Sequence, residues 1–312
     1  MSQITCINDA VIFEGRKDAK FCSDECRKAY LKEHGKELKA PANIPEFKQE
    51  YDKVAALAAF QKVGLERVQW LSTGIPDFDA LTMIPMGRVT QIQGPYAVGK
   101  TTLALNMIKG LSDKKVFYID SEASLNPELL VELELDPELF HIWNKSAFIE
   151  DIYEVLVEAV KSGEYDLIVF DSLASCTTKV EAEGDITASN IGQKAKMVNK
   201  MMRIIPSELK TTNTALVIIN QEREVIGGYV PQKYTPGGMG VPYAASLMIS
   251  LKSIKSWRFG RTAADTKKGI FIGQDVEATI IKSKVNQPWR KKTFKLYYPQ
   301  PIETEDEPDE AF

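Results

Sequence analysis

The chain is short of the residues that build a disulfide scaffold or a membrane span. Its 312 residues include four cysteines, three of them within the first 26. That is too few for a cross-linked framework and is the usage expected of a reducing, cytoplasmic setting. No apolar run approaches the roughly 20 residues that cross a bilayer, so no membrane partner is expected. The opening MSQITCINDA has neither a charged nor an apolar stretch, so no secretory signal is expected either. What is present, 44% hydrophobic and 26% charged residues, is the balance of a soluble globular protein. The length suits one large domain or two of ordinary size.

A strong net charge is also missing, but the distribution is uneven. The last ten residues, ETEDEPDEAF, hold Glu303, Glu305, Asp306, Glu307, Asp309 and Glu310; setting these six acids aside turns the formal −4 into +2. Residues 252–295 carry twelve Lys/Arg against Asp265, Asp275 and Glu277, a local net of +9. A basic region followed by an acidic tail points to a polyanion site and a segment able to compete for it.

Periodicity divides the chain. Residues 1–40 are polar and hold the cysteine cluster. A link with Pro41 and Pro45 leads into EFKQEYDKVAALAAFQK, where Phe47, Tyr51, Val54, Leu57 and Ala58 recur at helical spacing until Gly64. From about residue 85 short apolar strands alternate with helical stretches. VTQIQ (89–93), KVFYID (115–120), DLIVFD (166–171) and TALVIIN (214–220) are continuous apolar runs, as strands buried on both faces should be. Between them lie TTLALNMIKGL, FIEDIYEVLVEAVKSG and IGQKAKMVNKMMRIIPSEL. The pattern predicts an α/β fold with a doubly wound, mostly parallel sheet. SLMISLK (246–252), EATIIKSK (277–284) and TFKLYY (293–298) follow without long helices, so that edge is expected to be antiparallel.

Residues 94–101 read GPYAVGKT: Gly94, Pro95, Tyr96, Ala97, Val98, Gly99, Lys100 and Thr101, followed by Thr102. A strand before and a helix after are the context in which G-x-x-x-x-G-K-[ST] cradles phosphate. The glycines let the loop curl so that its N–H groups face the anion, and the helix N-terminus adds its positive end. Lys100 reaches the β/γ phosphates of ATP and the Thr101 hydroxyl can ligate Mg²⁺. Asp171, at the end of LIVFD, is placed to hold the same Mg²⁺. Glu122 is a candidate to place the attacking water, with Asp120 competing for the role. Asn220 and Gln221 end the fourth strand, where an amide can sense the γ-phosphate.

The ordered set of motifs resembles the RecA-type recombinases, particularly the shorter phage-encoded ones. STG-x₄-D-x-L (Ser72 to Leu81), PMGRV (85–89), GPYAVGKTTL, YIDSEASLNP (118–127), LIVFDSLAS (167–175), VEAEGD (180–185), VIINQ (217–221), TPGGMG (235–240) and IIKSKVNQPW (280–289) stand in that family's order. The resemblance implies a P-loop RecA-like ATPase core over 66–300. It makes Glu122 the catalytic glutamate and Gln221 the coupling glutamine, and adds Asn126 to the cofactor-binding set. Lys282 and Lys284 become lysines that reach a neighbouring subunit's ATP. It places one DNA loop near 183–192, with Ile191 and Gly192 at its turn and Lys196 and Arg203 on the next helix. A second loop spans 222–240, where Ile226, Tyr229, Gly237 and Gly238 meet single-stranded DNA. Leu129 stands where the family often has an aromatic against adenine, and Pro242 where it has a base. The family's C-terminal domain is expected to be absent.

The implied organisation is a zinc-finger-like module (1–40), a linker and oligomerisation helix (41–65), the core (66–300) and an acidic tail (301–312). In the first segment Cys6, Asp9, Cys22 and Cys26 resemble the ligands of a small Zn²⁺ finger, with His34 the alternative fourth ligand. The function implied is an ATP-dependent recombinase that forms a filament on single-stranded DNA, takes duplex DNA during pairing, and meets a single-strand-binding or mediator protein. A ring motor or branch-migration ATPase, and an annealing or mediator protein without strand exchange, are the alternatives.

Overall fold

The computed structural model describes residues 2–5, 12–15, 58, 61–62, 67–183, 192–224, 233–259 and 270–298. The chain divides into two compact units, Met1–Glu66 and Arg67–Phe312. In the first, β1 (Ser2–Thr5) and β2 (Ile12–Gly15) pair antiparallel, with Ser2 opposite Gly15 and Thr5 opposite Ile12. Cys6, Asp9, Cys22, Cys26 and His34 lie outside the described residues. So does the helix expected over 46–62, apart from 58, 61 and 62, which are helical.

The second unit opens with β3 (Trp70–Leu71), α1 (Pro76–Leu81) and β4 (Ile84–Pro85). Then come β5 (Val89–Gly94), α2 (Lys100–Lys109), β6 (Val116–Asp120), α3 (Pro127–Glu132), β7 (Phe140–Trp143), α4 (Ile149–Ser162), β8 (Leu167–Asp171), α5 (Lys179–Glu183), α6 (Gln193–Thr212) and β9 (Ala215–Gln221). The short pair β10 (Arg223–Glu224) and β11 (Lys233–Tyr234) follows, then α7 (Gly240–Ala244), β12 (Leu247–Phe259), β13 (Ile270–Ser283) and β14 (Lys291–Tyr297).

One eight-stranded sheet runs β14-β13-β12-β5-β9-β8-β6-β7. The strands from β12 to β7 are mutually parallel, and β13 and β14 add antiparallel at one edge, as expected. The apolar runs are central because each feeds both faces. Along β6, β8 and β9, Tyr118, Val169 and Val217 join one core with Phe78 of α1 and Leu103 and Met107 of α2. Their neighbours Ile119, Ile168 and Ile218 join the other core, with Ile152 and Leu156 of α4 and Met201 and Ile205 of α6. That alternation is what doubly winds the sheet.

Three details differ from the sequence reading. The edge strand β7 was not anticipated: Phe140 is buried but His141, Ile142 and Trp143 are not, so four residues carry no buried run. Strands β12 and β13 run well beyond their apolar segments. Lys252 to Ser256 are exposed and are held by pairing, Lys252 opposite Glu277 and Lys255 opposite Asp275. Helix α6, expected to run through Pro206 to Leu209, continues to Thr212 and stops at Asn213, whose φ of 58° is a left-handed cap.

Candidate functional site

The phosphate loop joins the C-terminal end of β5 to α2, the position at which open α/β sheets bind ligands. Gly99, the residue before α2, has φ +84°, and a Cβ there would fall 2.5 Å from Leu296 Cδ2. Glycine meets both conditions without backbone strain or a shift of the Leu296 side chain. Lys100 folds back over the loop and donates from Nζ to the carbonyls of Gly94 (3.2 Å) and Pro95 (2.8 Å). Burial pushes its pKa down, while Asp171, Glu122 and Glu222 pull it up.

The next residue, Thr101, donates from Oγ1 to Asp171 Oδ2 at 2.6 Å, and the buried Tyr118 hydroxyl donates to the same oxygen at 2.7 Å. Even with both bonds, burial raises the Asp171 pKa to about 6. A desolvated carboxylate beside a threonine hydroxyl is a hard-oxygen set, and the residues present fit Mg²⁺.

Asp120 and Glu122 are separated by the structure. Asp120 is buried and holds the following loop, accepting from Ser124 Oγ at 3.3 Å and Leu125 N at 3.0 Å. Glu122 is exposed, faces the phosphate loop and accepts from Ser172 Oγ at 2.5 Å. The Asp171–Ser172 peptide is cis. Gln221 reaches the same cleft from the end of β9. Together Tyr96, Ala97, Gly99, Lys100, Thr101, Thr102, Glu122, Asp171, Ser172, Gln221 and Tyr298 line a space of about 230 Å³. A larger cavity, about 420 Å³, lies between β5, Glu222 and the 235–239 segment. The smaller one holds the phosphate loop, both acids and the lysine, so chemistry rather than size identifies the site.

Tyr298 and Ser172 escaped the sequence reading. Tyr298 comes from the far edge of the sheet, where its hydroxyl accepts from Gln274 Nε2 at 3.1 Å. Only the β13–β14 register brings it to the loop. Asn126 has a structural role of its own. Its Oδ1 accepts from Leu129 N at 2.8 Å as the N-cap of α3, and it is not among the residues lining the cleft. Leu129 packs against the core.

Lys282 and Lys284 do not meet the phosphate loop of their own chain. Lys282 donates to the carbonyl of Pro242, and Lys284 donates to that of Tyr243 at 3.0 Å. Burial, then Lys284, lowers the Lys282 pKa.

On the opposite side of β9, Lys196, Lys200 and Arg203 recur on one face of α6 and share a cleft of about 350 Å³ with Asn199. Lys200 is a further basic residue there. Gly192 precedes α6 with φ +88°. Gly237 and Gly238 pack on Leu173 and Ala195. Ile191, Ile226 and Tyr229 lie outside the described residues.

Comparison with known proteins agrees with this geometry. The family model of the RecA N-terminal domain matches residues 39–303. Protein RecA of Wolinella succinogenes is 32% identical over 269 residues, covering 83% of this chain and 74% of that protein. Protein RecA of Helicobacter pylori (strain P12) is 31% identical over 269 residues, covering 83% of this chain and 75% of its own length. The crystal structure of the RadB recombinase superposes with a TM-score of 0.52 over 72% of this chain and 95% of that one; at 23% identity it speaks to the fold alone. The phosphate loop, the Thr101–Asp171 pair and the matched length together place the chain in the RecA family.

Proposed function

We propose that the chain is an ATP-dependent recombinase that coats single-stranded DNA as a filament and pairs it with duplex DNA. As a RecA family member it is a P-loop ATPase of DNA recombination and repair. The observation that carries the finer reading is the position of Gln221. It lines the phosphate cleft and is the last residue of the strand that leads into the second DNA loop.

The chemistry is phosphoryl transfer to water. ATP entering the cleft gives Lys100 phosphate oxygens in place of the two carbonyls it now holds. Thr101 and Asp171 would hold Mg²⁺, which supplies positive charge against the β- and γ-phosphates. Glu122 orients the attacking water and takes up its proton. Lys282 and Lys284 act on a neighbouring subunit's ATP, in keeping with their distance from their own loop. Gln221 reports the γ-phosphate to the 222–240 loop, and Lys196 and Arg203 meet DNA phosphates. The basic face of β12–β14, where Lys295 Nζ stands 5.3 Å over the Trp257 ring, supports a polyanion partner. The cytoplasm is the proposed compartment; among the described residues no helix is long and apolar enough to cross a membrane. Cys6, Asp9, Cys22 and Cys26, or His34 for Asp9, are read as a Zn²⁺ set, which a metal analysis of the purified chain tests.

The deciding experiment is ATP hydrolysis with no DNA, single-stranded DNA and duplex DNA across a salt series. Strong stimulation by single strands, falling with salt, is expected because phosphate contacts release counterions. Equal rates in all three would sink the recombinase reading.

A further inference from the structure

We propose that Ser172 is a positioning residue for Glu122, and that the turn it opens, residues 172–176, carries movement of both DNA loops to that carboxylate. The inference rests on the reading of Glu122 as the group that places the attacking water. Glu122 is an exposed side chain on a loop, and such a side chain has rotamers to lose. Ser172 is 1% exposed and donates from Oγ to Glu122 Oε1 at 2.5 Å. Ser172 is itself held on both sides. Its N–H donates to Ser121 Oγ at 3.0 Å, and its carbonyl accepts from Ser175 Oγ at 2.8 Å and Cys176 Sγ at 3.4 Å. A buried residue whose backbone is fixed this way does not follow Glu122; Glu122 follows it.

The same turn meets both loops. Lys194, just after the first loop, donates from Nζ to the carbonyls of Ala174 (3.1 Å) and Cys176 (2.6 Å). Gly237, at the end of the second loop, lies so close that a Cβ there would fall 2.7 Å from Leu173 Cδ2. Leu173 N in turn donates to the Ile219 carbonyl of β9 at 3.1 Å. A close-packed turn has no slack in which to absorb a shift. DNA settling on either loop therefore moves the peptide that aims Ser172. This route is distinct from Gln221: the glutamine faces the nucleotide, whereas the turn faces the acid that places water.

The test uses the full chain as wild type, Ser172→Ala, Lys194→Met and the double variant. ATP kcat and KM are measured with and without saturating single-stranded DNA. Binding of that DNA with a non-hydrolysable ATP analogue and a thermal melt are measured alongside. Ser172→Ala should lower the DNA-stimulated kcat by about tenfold to about a hundredfold, the cost of misplacing a reacting group. Its KM and DNA affinity should stay within about twofold, which a merely structural role would not arrange. Lys194→Met should leave DNA-free turnover within about twofold yet cut the stimulation. The double variant should lose little beyond Ser172→Ala, as residues on one route do. Wild-type stimulation in Ser172→Ala, or equal losses with and without DNA in Lys194→Met, overturns the proposal. If the alanine variant does not fold, Lys194→Met decides alone. A wild type that single strands do not stimulate overturns the reading beneath it instead, a separate and recognisable result.

Discussion

Replacing Asp171 by Asn should make the nucleotide-free protein more stable while removing its turnover. The carboxylate is 2% exposed, and its pKa stands at about 6 against 3.8 in the unfolded chain. A shift of one pKa unit is about 1.36 kcal/mol, so the buried charge costs the fold about 3 kcal/mol above pH 6. The sign follows from the direction. Below about pH 4 both states are protonated and the cost vanishes; it grows as pH rises and is complete once the folded group ionises. Asparagine keeps the essential geometry, because Thr101 Oγ1 and the Tyr118 hydroxyl both donate to one oxygen, which the amide oxygen can replace. The new NH₂ needs an acceptor, and lacking a good one costs about 1–2 kcal/mol. A net gain of about 1–2 kcal/mol remains. At roughly 2–4 °C per kcal/mol for a domain of this size, the melting temperature rises by about 2–8 °C. Calorimetry without Mg²⁺ at pH 7.5 and at pH 4 measures this, and the gap should close at the lower pH. Adding Mg²⁺ and ADP should also narrow it, since only the carboxylate gains a cation. A variant that melts below wild type at pH 7.5, or a gap independent of pH, would refute the reasoning.

Glu122→Gln should bind DNA stably with ATP while hydrolysing it at least about a hundredfold more slowly, the scale of a lost general base; retained turnover removes Glu122 from that role. Lys196→Gln should weaken DNA binding alike for all sequences and reduce the salt slope by about 1, read from binding isotherms at several ionic strengths. Gly99→Ala forces a Cβ toward Leu296 at φ +84°; we expect destabilisation of about 1–3 kcal/mol and loss of ATP binding, measured by melting and by nucleotide titration.

The parts of this fold that the sequence announces are those in which one local feature carries the information. LIVFD and ALVIIN are buried along their whole length, so their pattern needs no partner to be recognised. Thr101 and Asp171 are 70 residues apart, yet the phosphate loop and a strand-end acid identify each separately. Where position depends on pairing, the pattern is silent. Strand β7 is a sheet edge, and the exposed stretch of β12 is a strand only because β13 lies beside it. Tyr298 belongs to the cleft because a whole ladder ends there. Asn126 carries a local signal of its own: Asn followed by Pro127 is an N-cap signature with proline at the first helical position, and α3 begins there.

The central pairing of the sheet gives the proposed nucleotide and DNA sites a physical connection. Gly94, where the phosphate loop begins, lies in register opposite Gln221, where β9 ends. Its carbonyl accepts from the N–H of Glu222 at 2.9 Å, so the first peptide of the second loop is bonded to the first residue of the phosphate loop. Lys100 holds that same carbonyl at 3.2 Å. When phosphate draws the ammonium away, the Gly94 carbonyl loses a charged partner, and its bond to Glu222 becomes the principal claim on it. One residue further back, Asn220 donates from Nδ2 to the Pro236 carbonyl at 3.0 Å, tying the returning end of the loop to the same strand. Glu222 and Pro236 of the 222–240 segment are thus anchored within a residue or two of Gln221, the proposed γ-phosphate sensor. A change of a few tenths of an ångström at the phosphates has a rigid, hydrogen-bonded path into the loop. The proposed coupling would follow from adjacent strands in a parallel sheet ending at one level, at their C-terminal edge.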